Sequence, residues 1–221
     1  MKLLVLSDVH GNSRYLRRVI DVVRDFDALL IAGDLSNYGS GMDGVLSVLK
    51  EVVSTGVPVI TVLGNMDPPN ALGKVASVGV KVLHGSSTKL SSYYVLGVSG
   101  SPKTPFRTLF ELSEGEFKEL LTKASEGIED FRKVILLTHA PPYGTKVDRV
   151  FIGIHAGSVA IREFIKSKKP LTNFCGHIHE GRGTESLGET IVINPGPLFK
   201  KYYSIVELEG SNVRYELLRI K

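Results

Sequence analysis

The stretch Leu3-Leu4-Val5-Leu6-Ser7-Asp8-Val9-His10-Gly11-Asn12-Ser13 sets how the rest of the chain is read. Four consecutive apolar residues give way at once to polar and turn-forming ones, and Leu16, Val19, Ile20 and Val23 follow at i, i+3, i+4 and i+7. An unbroken short apolar run marks a strand buried on both faces, and the later spacing is that of an amphipathic helix. The segment therefore predicts strand, loop and helix, with Ser13 as the helix N-cap. The same order recurs. Residues 28–32 end at Gly33-Asp34 and pass through a Gly/Ser-rich loop to a helix with Val45, Val48, Leu49 and Val52 on one face, stopped by Gly56 and Pro58. Residues 59–63 end at Gly64-Asn65. Buried strands joined by helices imply a largely parallel sheet covered on both faces, an α/β architecture.

Further along, residues 93–96 predict a strand and residues 97–107, with their Pro and Gly, a surface loop. Ser113 and Glu116 predict a capping box for a helix carrying Phe117, Leu120, Leu121 and Ala124. Residues 134–138 form a buried strand that runs into His139, and residues 140–157 form a long loop of the kind that often carries function. A helix with Ile161, Phe164 and Ile165 follows, then a strand over 171–175 ending at Gly176-His177, and another over 191–193. Residues 203–208 and 213–218, joined by Glu209-Gly210-Ser211-Asn212, read as a hairpin.

Composition narrows the classes. With 43% hydrophobic and 23% charged residues spread over 221 positions, the chain can bury a sizeable core and is not intrinsically disordered. A single cysteine, Cys175, excludes an internal disulfide and places the protein in a reducing cytoplasm, the cysteine itself reading as a small core residue. No apolar run approaches the roughly 18 residues of a membrane span, so no membrane partner is expected, and the apolar residues after Lys2 are too few for a secretory leader. The net charge of +4 and pI of about 9.1 are mildly basic, which allows nucleic acid as a partner without favouring it.

The polar residues at the strand ends carry the chemistry. Asp8 and His10, Asp34, Asn65, His139, and His177 with His179 each follow a buried strand. Singly, each is a turn former, a cap or a solvated histidine. Together they form a mixed N/O donor set at the carboxyl ends of strands, where ligands bind in open α/β sheets. Two Asp, one Asn and four His suit divalent ions such as Mn²⁺, Fe²⁺ or Zn²⁺ rather than thiolate-selected metals. The set exceeds what one tetrahedral ion needs and suits two ions sharing a carboxylate.

In the order Asp8-Val9-His10, Gly33-Asp34, Gly64-Asn65, His139 and Gly176-His177-Ile178-His179, the chain resembles the calcineurin-like metallophosphoesterases. The words Thr138-His139-Ala140-Pro141-Pro142-Tyr143-Gly144-Thr145, His179-Glu180-Gly181 and Asn194-Pro195-Gly196-Pro197 are similar to those of its small prokaryotic branch related to cyclic-nucleotide phosphodiesterases. The resemblance implies one domain over residues 1–221, built as two mixed β-sheets packed as a sandwich and flanked by helices. It implies two divalent ions, Mn favoured over Ni, Fe, Zn or Mg. Asp8, His10, Asp34 and His179 would hold one, and Asp34, Asn65, His139 and His177 the other, with Asp34 as the bridge.

One position departs from the pattern. Family phosphomonoesterases usually carry His after the Gly-Asn pair, whereas this chain has Met66 followed by Asp67. A thioether cannot transfer a proton, so the departure points to phosphodiesters or esters with good leaving groups. His155 is the candidate replacement acid, the alternative being a solvent-facing lid histidine; Asn12 and Asn65 are candidate phosphate contacts, and His84 has no evident role. With Asp8 and Asp34 ionised, two divalent cations and a bridging hydroxide leave a net charge of about +1. That charge attracts an anionic phosphate for in-line attack by the hydroxide. The expected function is hydrolysis of small phosphodiesters, with a nuclease or a catalytically weak interaction scaffold as alternatives and a homo-oligomer allowed. No Gly-rich nucleotide-kinase loop is present, which disfavours ATP-driven transfer.

Overall fold

The computed structural model describes residues 1–23 and 25–221. The opening segment folds as β1 (Lys2–Leu6) and α1 (Ser13–Val22), followed by β2 (Ala28–Ala32), α2 (Met42–Ser54), β3 (Val59–Val62), α3 (Ala71–Ala76) and β4 (Lys81–Val82). The second run comprises β5 (Ser86–Leu90), β6 (Tyr93–Val98), β7 (Ser101–Pro102), β8 (Glu111–Leu112), α4 (Glu114–Ala124), β9 (Val134–Thr138), α5 (Val159–Lys168) and β10 (Thr172–Phe174). The chain closes with β11 (Gly183–Leu187), β12 (Thr190–Asn194), β13 (Tyr202–Glu209) and β14 (Asn212–Arg219).

These strands build two six-stranded sheets, in the orders β14-β13-β1-β2-β3-β4 and β11-β12-β10-β9-β6-β5. Each has a parallel centre and antiparallel margins. In the first, β1 to β4 run parallel and β13 and β14 turn back; in the second, β12, β10, β9 and β6 run parallel, with β11 and β5 antiparallel at the edges. The expectation of a largely parallel sheet holds for the centres alone, because the hairpins at the margins need no crossover helix.

Alternation within the apolar runs explains the layers. Leu3, Val5, Leu30 and Val62 of the first sheet pack with Val95, Ile135, Leu137 and Phe174 of the second. Their neighbours Leu4, Leu6, Leu29 and Ile31 belong to a separate core with Leu16 and Val19 of α1 and Val45 and Leu49 of α2. Since both faces of the central strands are covered, every residue of β2, β3 and β9 is buried. The resulting sandwich is flanked by helices.

Two local expectations are corrected. Asn12, not Ser13, caps α1: its side-chain oxygen accepts the Tyr15 N–H at 3.0 Å, the reach from a cap to the third helical residue, and Ser13 is the first helical residue. Residues 97–102 are not a surface loop. Strand β6 continues to Val98, β7 pairs in parallel with β8, and the chain reaches the surface from Lys103. The capping box at α4 is present, with Ser113 Oγ accepting the Glu116 N–H and the Glu116 carboxylate accepting the Ser113 N–H.

Candidate metal centre and active site

Strands β1, β2 and β3 of one sheet and β9 and β10 of the other bring their carboxyl ends to the same edge of the sandwich, where the seven candidate ligands meet. Asp8, Asp34, Asn65 and His139 are buried, and His10, His177 and His179 are partly so. Four of the seven have backbone in the left-handed region, Asp8 (φ 51°), His10 (φ 47°), Asp34 (φ 52°) and His177 (φ 67°). Non-glycine residues adopt that conformation at a cost of about 1 kcal/mol or more each, and such strain concentrates at functional sites.

Close backbone approach explains two of the preceding glycines. A Cβ on Gly64 would overlap the Asp34 carboxylate, and one on Gly33, itself at φ +84°, would lie 2.6 Å from the His139 ring. The Gly-Asp and Gly-Asn pairs thus let two loops pack against each other with their ligands between them.

The donor atoms converge in two groups. Asp8, His10 and His179 form one, and Asp8, Asp34 and His139 the other, each with its donor atoms within 4.8 Å of one another. Asp34 Oδ2 stands 3.5 Å from both His10 Nε2 and His139 Nε2, while its Oδ1 accepts the Met66 N–H at 2.8 Å. Asn65 Oδ1 is 2.9 Å from His139 Nε2 and 2.8 Å from His177 Nδ1. His139 Nδ1–H donates to the Ala32 carbonyl at 2.8 Å, which leaves Nε2 as the nitrogen available to an ion. His10 and His179 face each other through their Nε2 atoms at 3.3 Å. Carboxylate oxygens and imidazole nitrogens turned toward shared points fit divalent cations, and this N/O set excludes a preference for thiophilic ions.

Electrostatics follow the same grouping. Burial alone raises the Asp8 pKa, but its hydrogen bond to His179 and the nearby His139 outweigh it, and the carboxyl stays well below the usual range. Burial lowers His139, yet the Asp34 and Asp8 carboxylates prevail and lift it to about 9. Desolvation and the neighbouring His139 push His177 down to about 4. These opposed directions are what a compact cluster of two carboxylates and four imidazoles produces.

Several positioning residues escape a reading confined to ligand types. Asp67 is buried and accepts N–H groups of Leu35 (3.0 Å), Ser36 (2.7 Å) and Gly64 (2.9 Å), and the Ser36 hydroxyl at 2.8 Å. It ties the Asp34 loop to the Asn65 loop. Burial and the adjacent Asp34 raise its pKa to about 6. Phe199 meets the rings of His10 and His179 edge to face, at 5.1 and 5.0 Å. The Asn194-Pro195-Gly196-Pro197 segment fastens both halves: Asn194 donates to the Ile178 carbonyl, Ser7 Oγ donates to the Gly196 carbonyl, and Leu198 N–H donates to the Ser7 carbonyl. Its Pro and Gly residues are turn formers, but residue order does not show what the turn holds.

The ligand cluster opens into a cleft of about 840 Å³ lined by His10, Asp34, Asn65, His177 and His179 together with residues 102–106, 150–152 and 154–157. Met66 and His155 also line it, whereas Asn12 does not, its carbonyl being engaged at the head of α1. His155 Nδ1 is hydrogen-bonded to Asp148 Oδ1. Cys175 is fully buried, its thiol pushed well above the ordinary range by desolvation, and it packs as an inert core residue.

Two parallel-centred sheets whose strand ends share one Asp/Asn/His cluster are the architecture of a metal-dependent phosphoester hydrolase. Residues 1–181 match the family model of the calcineurin-like phosphoesterases, and the chain belongs to that family, whose members depend on a dinuclear metal centre. An uncharacterized protein of Methanocaldococcus jannaschii is 34% identical over 208 residues, covering 92% of this chain and 90% of that one. Among solved structures, protein TT1561 of Thermus thermophilus superposes with a TM-score of 0.75 at 20% identity, over 97% of each chain. A dimetal phosphatase of Danio rerio superposes with a TM-score of 0.64 at 14% identity, over 99% of this chain and 98% of that one. At such identities the two structures establish the shared fold. Among the described residues no helix is long and apolar enough to cross a membrane.

Proposed function

We propose that the protein hydrolyses small phosphodiesters with two divalent metal ions. The observation that carries this reading is Met66, which lines the cleft directly after Asn65 and offers no proton where family phosphomonoesterases usually carry His. Asp8, His10, Asp34 and His179 would hold one ion and Asp34, Asn65, His139 and His177 the other. Asp8 is the residue common to both donor groups, but Asp34 Oδ2 is equidistant from His10 and His139, which supports Asp34 as the shared ligand. When bound, the ions supply Lewis acidity toward the phosphoryl oxygens and an activated water at neutral pH. Mn is the favoured metal, with Ni, Fe, Zn and Mg as alternatives.

The chain's own groups do the rest. His139 is held in one tautomer by Ala32, and Asn65 sits between two imidazoles, where its amide can also contact a phosphoryl oxygen. Asp148 orients His155 through Nδ1, which leaves Nε2 for proton transfer to the leaving oxygen. Because the ligands come from both sheets, residues 1–221 are read as one functional unit. The lone buried thiol supports a cytoplasmic setting.

Turnover of bis(p-nitrophenyl) phosphate and p-nitrophenyl phosphate by metal-stripped protein, with Mn²⁺, Ni²⁺, Mg²⁺ and Zn²⁺ restored in turn, tests the reading. Faster hydrolysis of the diester, greatest with Mn²⁺, is expected. Inactivity with every metal would remove the hydrolase assignment, and a preference for the monoester would remove the role given to Met66.

A further inference from the structure

The cleft into which the ligand cluster opens is also lined by apolar side chains that water reaches freely. Phe151 is 91% exposed, Phe106 79% and Ile152 75%, and Ile154 lies beside them at 58%. Such residues are ordinarily turned inward, and a contiguous group of them on the surface marks a binding site. They stand on two loops, residues 102–106 and 150–154, that line the same cleft as His10, Asn65 and His177. Apart from the ligand cluster and His155, the charged side chains lining the cleft are Lys103 and Glu180. A track for a polynucleotide needs repeated cations along its length, and this cleft does not supply them.

We infer that the substrate is an amphiphilic phosphodiester, with an alkyl or aryl ester arm lying against Phe106, Phe151, Ile152 and Ile154 while the phosphate sits at the ligand cluster. The inference rests on the phosphodiester reading for the position of the phosphate. A diester has two arms, and only one departs. The cleft is far larger than a phosphate group, so the retained arm has room along the apolar wall. Burying that arm would also cover side chains that are otherwise hydrated, so the gain comes from both surfaces.

A series of n-alkyl p-nitrophenyl phosphates, from methyl to hexyl, kept below their aggregation concentrations, tests the wall with one leaving group throughout. In the Mn²⁺-loaded protein, kcat/KM is expected to rise about two- to fourfold per methylene, the full-burial value being about fourfold. The double variant F106S/I152N should flatten that slope and reduce the hexyl-to-methyl ratio at least tenfold. Binding of dihexyl and dimethyl phosphate, measured by calorimetry, is a readout independent of turnover: the dihexyl ester should bind at least tenfold tighter to the native protein and lose that advantage in the variant.

Equal rates and equal affinities for short and long arms would overturn the inference. So would self-association that occludes the cleft with no chain-length preference, detected by sedimentation. Selective binding of dihexyl phosphate without hydrolysis of any ester would defeat the proposed activity and leave the wall's role standing. Hydrolysis indifferent to arm length would do the reverse.

Discussion

His155 Nδ1 lies 2.6 Å from Asp148 Oδ1, and the buried Asp148 carboxylate also accepts the N–H groups of Gly144, Thr145 and Gly157. One carboxylate therefore shapes the loop and aims the ring. His155→Gln is expected to lower kcat by about 10²-fold or more for an alkoxide leaving group, the scale of general acid catalysis. For p-nitrophenolate, which departs without a proton, the loss should be much smaller. The measurement is a plot of log kcat against leaving-group pKa, which should steepen in the variant. Equal losses across the series would assign His155 to the loop rather than to proton transfer.

Asp34 stands between the two halves of the cluster, 3.5 Å from a histidine of each. Asp34→Asn and His177→Ala should each reduce kcat by about 10³-fold, comparable to losing a principal transition-state contact. Bound metal, measured by atomic emission after dialysis, should fall from two ions per chain to one or fewer. An Asp34→Asn protein with two ions and the native rate would exclude the shared-ligand role. Cys175→Ala, by contrast, should lower Tm by about 2–4 °C for a loss near 1 kcal/mol and leave the rate per folded molecule unchanged.

Asp67 joins the loops that carry Asp34 and Asn65 through acceptor bonds from four groups. Asn at this position keeps the shape but presents an amine toward donors. Asp67→Asn should therefore cost about 1–3 kcal/mol, read as a fall of several degrees in Tm. If the melting curve is unmoved, the two loops are held together by something other than this carboxylate.

How much of this was legible from residue order depends on burial. The central strands announce themselves because both faces are covered and the run is apolar, as in residues 28–32 and 134–137. Strands β5 (Ser-Ser-Thr-Lys-Leu) and β11 (Gly-Thr-Glu-Ser-Leu) lie at sheet edges, are largely uncovered and carry no apolar run, so nothing in their composition marks them. The seven candidate ligands, of three residue types, are visible as residues following strands. The left-handed backbone that turns Asp8, His10, Asp34 and His177 toward a common point is not, because non-glycine residues reach it only under tertiary constraint. The positioning roles of Asp67 and Asp148 are hidden for a related reason: their partners are backbone N–H groups of distant or folded-back segments.

Glu111 pins the first of the two apolar loops. Its Oε1 accepts the Thr104 hydroxyl at 2.6 Å, the Thr108 N–H at 2.8 Å and the Thr108 hydroxyl at 2.7 Å. Partial burial pushes its pKa up, but the three hydrogen bonds prevail and bring it from the ordinary 4.5 down to about 2. A depressed folded-state pKa means that the stabilisation is complete above about pH 4.5 and is lost as the pH falls toward 2. The Thr108 amide proton shift should accordingly titrate with a midpoint near 2 in an NMR pH series. A midpoint at the ordinary value would mean that the loop is not held by this carboxylate. Glu111→Gln should lose the titration altogether.

The wide spacing of the ligands along the chain has a consequence for biosynthesis. Asp8 leaves the ribosome well before His179, and Asp8 Oδ1 ends 3.4 Å from His179 Nε2. A nascent chain that has not yet reached His179 holds only part of the candidate donor set. Closure of the cluster thus waits until translation has passed β10, the last of the strands that deliver it, so the two sheets must be joined before the site exists.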